Sequence, residues 1–179
     1  MSGHNKWSKI KHKKAATDAQ KSKVFGKIAK LIAVESKKTS GDINSPELRS
    51  AIEKAKQVNM PTDNINRAVQ KGKTDTSTSL EEVLYEVYGP GGVAIIILGL
   101  TDNKNRTAAE IKHLLSKQDL SLAGPGAAMW AFEKDGDEYK PNTTTSISKE
   151  EGLKLKNVVE IILEHDDVQD VFTNELLSN

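Results

Sequence analysis

The stretch GHNKWSKIKHKKAATDAQKSK, residues 3–23, sets seven lysines, two histidines and one tryptophan against a single acid, Asp18. Closely spaced lysines repel one another. Meeting phosphates relieves that repulsion and releases the counterions condensed on a nucleic acid. Trp7, standing among them, offers a flat face for an unpaired base. Phosphate contact is therefore the chemistry expected of Lys6, Lys9, Lys11, His12, Lys13 and Lys14, with Trp7 stacking, and of Lys21, Lys23, Lys27 and Lys30 further along. The competing reading is a solvated basic arm, which is what most charge runs are. The distribution of charge favours a polyanion partner. Residues 1–40 carry 11 lysines and 2 acids, whereas residues 133–179 carry 5 lysines and 12 acids, an asymmetry that the net charge of +1 conceals.

A second candidate is TDNKNRT at 101–107. It places Asp102, Asn103, Lys104, Asn105 and Arg106 between an apolar run and a helix start, where backbone amides and two cations can receive an anion. Composition alone reads the same loop as a strand-to-helix turn in which Asp102 and Asn105 serve the backbone. Arg67, Lys71 and Lys73 close a helix, where positive charge suits the dipole without any ligand.

Catalysis finds little footing. His4, His12, His113 and His165 stand in separate settings with no i, i+4 pair for zinc, and neither a nucleophile elbow nor a phosphate-binding loop occurs. Glu164, Asp166 and Asp167 lack the ligand spacing of a calcium loop and read as a solvated helix end. The absence of cysteine excludes disulfides, thiolate zinc sites and a cysteine nucleophile, and it fits a reducing compartment. The expectation is a protein with no catalysis, metal or cofactor. The apolar run VAIIILGL at 93–100 is too short to span a bilayer, and the start lacks the apolar core of a secretory signal, so no membrane contact and a cytoplasmic location are expected. The sequence carries no indication of oligomeric state.

The elements that must position these residues fall into two sets. From Val24, the apolar residues Phe25, Ile28, Leu31 and Ile32 recur at helical spacing, with Lys23, Lys27, Lys30 and Lys37 expected on the opposite face. Ser45-Pro46 announces a second helix with Leu48, Ala51, Ile52, Ala55 and Val58 inward. A third carries Ile65, Ala68 and Val69 and is expected to end at Gly72. Three such helices make a small bundle. The polar stretch KTDTSTS at 73–79 reads as a linker, dividing the chain into a basic helical domain, 1–76, and a second domain, 77–179. There EVLYEVYG alternates as a strand, GPGG turns, and 93–100 reads as a fully buried strand. A helix capped by Asn105 or Thr107, a strand at 127–134, a hairpin at Asp135-Gly136, a helix capped by Ser148 and a strand at 167–174 follow. The fold class is α+β: a three-helix bundle followed by a ferredoxin-like β-α-β-β-α-β lobe with an extra N-terminal strand.

The segments GHNKWSKIKHKKAATDAQKSKVFGKI, NMPTDNINRAVQKG, YEVYGPGGVAIII, LTDNKNRTAAEIKH, WAFEKDG and DDVQDVFTN together resemble the YebC family, in order and over nearly the whole chain. The resemblance implies a basic helical domain joined to α/β lobes. It implies a regulator of gene expression whose partner is DNA, in transcription, or ribosomal RNA on the ribosome, where members help translation through proline-rich stretches. It also raises the 101–107 loop as a functional element. This chain departs from the family in one respect: Asp135-Gly136 runs almost directly to YKPNTTTSIS, where members carry a further lobe. A hairpin loop is a place where such a loss leaves the lobe able to close.

Overall fold

The computed structural model describes residues 18–74, 80–136 and 138–177. The chain divides into two compact units at Glu81/Glu82.

In the first unit, α1 (Asp18–Lys38), α2 (Pro46–Gln57) and α3 (Thr62–Thr74) enclose a core of Ile28, Ile32, Leu48, Ala51, Ala55, Ile65, Ala68 and Val69. These are the positions that helical spacing turns inward. Ser45 caps α2 as its sequence announces, its side chain accepting the Leu48 amide, with Pro46 at the first helical position. Gly72 does not end α3. It lies within the helix, where a Cβ would fall 2.3 Å from the Ala33 carbonyl oxygen, so its bareness lets α3 close onto α1. The Ser36 hydroxyl fixes the same approach by donating to the Val69 carbonyl at 2.7 Å.

The second unit has the expected α+β character. Strand β1 (Glu81–Tyr88) turns through Pro90–Gly92 into β2 (Ala94–Thr101), followed by helix α4 (Lys104–Ser116). A single 3-10 turn at Met129–Ala131 leads to β3 (Phe132–Asp135) and β4 (Glu138–Pro141). Then come β5 (Thr145–Ile147), α5 (Lys149–Leu163), β6 (Val168–Thr173) and β7 (Glu175–Leu177). With the three-residue strands β5 and β7 set aside, the order β2-α4-β3-β4-α5-β6 is the β-α-β-β-α-β plan with β1 in front. Ser148 and Glu151 form a reciprocal capping box at the start of α5.

Pairing departs from a single four-stranded sheet. The main sheet has the order β1-β2-β6, with β2 antiparallel to β6, while β3–β4 form a separate hairpin and β5 lies parallel to β7. Two causes are visible. Strand β1 occupies the edge of β2 that another strand would need. The first part of the strand expected at 127–134, residues 127–131, is wound out of the sheet by Glu86, whose carboxylate accepts the amides of Gly126, Ala128 and Met129 at 2.6, 2.7 and 2.8 Å. Glu86 is only 5% exposed. Burial alone would raise its pKa, but the three amide donors outweigh it and hold the carboxyl below its ordinary value.

Strand β2 is buried on both faces, as its unbroken apolar run implies. Ile95 and Ile97 meet α4 and α5 through Ile111, Leu115, Leu155 and Ile162. Ala94 and Ile96 face Ala128, Ala131, Phe132 and Phe172 beside the hairpin, where Tyr139 meets Phe172 edge-on at 5.6 Å. The strand expected at 167–174 is observed as β6 and stops before Asn174, after which β7 adds a strand that was not expected. The Asn174 side chain accepts from the Ala94 amide at 2.8 Å and donates to the Thr143 carbonyl at 2.9 Å.

Candidate functional site

The basic face begins on α1. Lys21 and Lys23 are exposed and Lys30 is half-buried. Lys27, expected on the solvent side, is 9% exposed. The reason is that both α2 and α3 pack on α1, so its covered surface is wider than one apolar stripe. Lys6, Trp7, Lys9, Lys11, His12, Lys13 and Lys14 lie outside the described residues.

Packing of α3 on α1 gives Arg67 and Lys71 a setting beyond the helix dipole. Lys30, Lys37 and Lys38 from α1 and Arg67 and Lys71 from α3 line one groove of about 780 Å³. Its floor is apolar, formed by residues including Phe25, Ala29, Ala33 and Met60. Lys38 also pairs with Glu35 at 3.0 Å, and Arg67 donates to Asn64. Cations from two helices converging on one concavity make a surface suited to an anionic polymer.

The 101–107 loop is organised differently from an open anion site. Asn103, rather than Asn105 or Thr107, caps α4, its Oδ1 accepting the Arg106 amide at 3.0 Å. Thr107 is fully buried and engaged elsewhere: its hydroxyl lies 2.8 Å from Asp167 Oδ2 and 2.8 Å from Thr101 Oγ1. Since a carboxylate only accepts, Thr107 donates to Asp167 and receives from Thr101. Arg106 Nη2 lies 2.9 Å from both Asp167 Oδ2 and Asp102 Oδ1. Its bonds first to Asp167 and then to Asp102 raise its pKa further. The anion beside Arg106 is thus the chain's own Asp167. Asp102, Asn103, Lys104 and Asn105 stay on the exposed side of the turn.

Asp167, expected at a solvated helix end, is instead 6% exposed, and its main chain joins the sheet by accepting the Leu100 amide at 2.8 Å. Its own amide donates to His165 Nδ1 at 3.1 Å, which leaves the proton on Nε2 to donate to Glu110 Oε2 at 2.8 Å. Glu110, His165 and Asp167 bring metal-ligating atoms within 4.8 Å of one another. Arg106 already supplies a cation among them, reaching Asp167 directly and approaching Glu110 at 4.0 Å. Burial pushes the Tyr85 hydroxyl upward, the Asp167 charge adds to this, and Lys104 opposes it. No spacing signal announces this network, because Arg106 and Asp167 are 61 residues apart.

Fold and site define the class: an α+β protein with a basic helical unit ahead of a lobe knit by buried carboxylates. The chain belongs to the TACO1/YebC family. A model described as the TACO1/YebC protein N-terminal domain matches residues 5–75, and one described as the TACO1/YebC second and third domain matches residues 80–137. A "Probable transcriptional regulatory protein" of Fervidobacterium nodosum is 50% identical over 138 residues, covering 76% of this chain and 55% of that protein. One of the same name from Thermosipho africanus is 42% identical over 181 residues, covering 99% of this chain and 72% of the relative. The chain therefore matches little more than half of the first relative's length. The crystal structure of a conserved hypothetical protein, Aq1575 from Aquifex aeolicus, superposes with a TM-score of 0.83 at 30% identity over 97% of this chain and 98% of that one. Among the described residues, no helix is long and apolar enough to cross a membrane.

Proposed function

We propose that this chain regulates gene expression by binding nucleic acid through its helical unit, without catalysing a reaction. The observation that carries this reading is the concentration of positive charge in one unit: 11 lysines against 2 acids in residues 1–40, joined by Arg67 and Lys71 across the α1–α3 groove. Lysine acts mainly as a point charge on phosphate, so affinity without strong base readout is expected. The names of the relatives speak of transcriptional regulation, which favours DNA as the partner over ribosomal RNA in our reading. The acidic stretch 133–179 favours the second reading, ribosomal RNA, because a ribosome offers basic protein surface beside its phosphates whereas bare duplex DNA does not. In either case the 101–107 loop contributes through Lys104 and Asn105 on its exposed side, while Arg106 holds the loop to Asp167.

Changing Lys9, Lys11, Lys13 and Lys14 together to alanine is expected to weaken binding to a DNA duplex. The slope of log affinity against log salt should fall by about 0.7–0.9 for each phosphate that is no longer neutralised. Anisotropy titrations at several salt concentrations measure this, and an unchanged slope would return the segment to a solvated arm. Co-sedimentation of the tagged protein with ribosomes, beside capture of genomic DNA, separates the two partners.

A further inference from the structure

The groove between α1 and α3 is larger and more apolar than phosphate binding requires. We infer that it receives the unpaired base of a single-stranded RNA segment, with the cations on its rim holding the flanking phosphates; this rests on the nucleic-acid reading above and names which form of nucleic acid the site takes. At about 780 Å³ the groove falls within the range of sites that enclose a small organic group. Ala29, Ala33 and Met60 give it a floor that offers little to an anion but suits a flat ring. Phe25, half-buried at the same surface, supplies an aromatic side chain of the kind on which bases stack. Lys37 of α1 and Lys71 of α3 both line it, so a strand running over the groove meets charge from two helices.

Gly26 supplies an independent argument. Glycine is among the least favourable residues in a helix interior, a cost that a packing reason can offset. Gly72 has one, since a Cβ there would strike the Ala33 carbonyl; Gly26 has none, since a Cβ there would meet nothing within 4 Å. It lines the groove, and its bareness lets a ring approach the main chain of α1 closely. A duplex keeps its bases stacked and paired, whereas unpaired RNA splays single bases into protein pockets. The groove therefore selects for an unpaired strand, and the lysines outside it do not.

The test uses the full chain with three fluorescein-labelled probes: a short oligouridylate, the matching single-stranded DNA, and a DNA duplex of equal length. Gly26→Leu, which fills the groove while favouring the helix, is expected to weaken oligouridylate binding by roughly tenfold, the scale of a single base stacked on an aromatic ring. Duplex binding should change less than about twofold, as should every affinity in Gly26→Ala, which adds little volume. A crosslink from a thiouridine-bearing oligomer to Phe25 or Met60 is expected as well, and it reads the wild-type chain, so it stands even if a variant fails to fold. Unchanged oligouridylate binding in Gly26→Leu, equal weakening on duplex, or crosslinks confined to other residues would overturn the inference while leaving nucleic-acid binding intact. Single-stranded DNA bound as tightly as RNA and equally weakened would overturn the choice of RNA. A chain that binds none of the probes would overturn the proposed function together with it.

Discussion

Replacing Glu86 with alanine is expected to lower the free energy of unfolding by about 3 kcal/mol, because three amides that share one buried carboxylate lose their acceptor at once. Urea unfolding measures the loss. Hydrogen exchange should place it at Gly126, Ala128 and Met129, with the α1–α3 unit unaffected. Glu86→Gln keeps an acceptor oxygen and should lose less. The same carboxylate makes stability acid-sensitive with a definite sign. Its folded pKa is depressed below the ordinary 4.5, so its contribution is complete above that value and is lost as pH falls through the lowered one. Wild type should therefore lose more stability than Glu86→Gln on acidification below about 4.5. Equal losses would show that the amides do not depend on the charge.

Asp167→Ala is the second large effect, expected at about 2 kcal/mol. The substitution removes the nearer acceptor of the fully buried Thr107 hydroxyl, leaving it the Asn103 carbonyl at 3.2 Å, and breaks the pair with Arg106. The cost stays below that of a wholly buried ion pair because Arg106 is partly exposed and keeps Asp102. Asp167→Asn, which still accepts from Thr107, should lose less. Affinity for nucleic acid should fall in Asp167→Ala if the Arg106–Asp167 pair holds the loop that presents Lys104 and Asn105. Unchanged affinity would show that binding does not depend on how the loop is held. Neutralising acids to probe a charged surface must accordingly avoid Asp167. It must also avoid Glu151, whose carboxylate completes the α5 capping box and whose pKa is lowered by the Ser148 amide and then the Ser148 hydroxyl.

What could be read from the sequence was local. Ile28 and Ile32, Leu48 and Ala51, and Ile65 and Ala68 repeat at helical spacing, and Ser45-Pro46 and Ser148 mark starts that the backbone uses. Strand β2 announces its double burial by an unbroken apolar run. What escapes such reading is made by residues distant along the chain. Glu86 looks like one of several acids in an alternating strand until it meets amides some forty residues later. Asp167 looks solvated until the sheet register carries it to Thr107. Lys37, Arg67 and Lys71 each have an adequate local explanation, and only the close approach permitted by Gly72 gathers them around one groove. Gly72 itself passes for a helix end because a glycine required for packing carries the same sequence signal as one required for a turn.

The turn between β3 and β4 has an architectural consequence. Asp135 and Glu138 are register partners across it, and a Cβ at Gly136 would meet nothing within 4 Å. Partners of this kind stand about 5 Å apart. Any polypeptide spliced between them must begin and end at nearly the same point, and the lobe that hosts it need not rearrange to admit it. The hairpin is a socket: this chain's match to the second-and-third-domain model stops at residue 137, beside this junction. A module joined at such a socket would add to the lobe while leaving the core around β2 as it is.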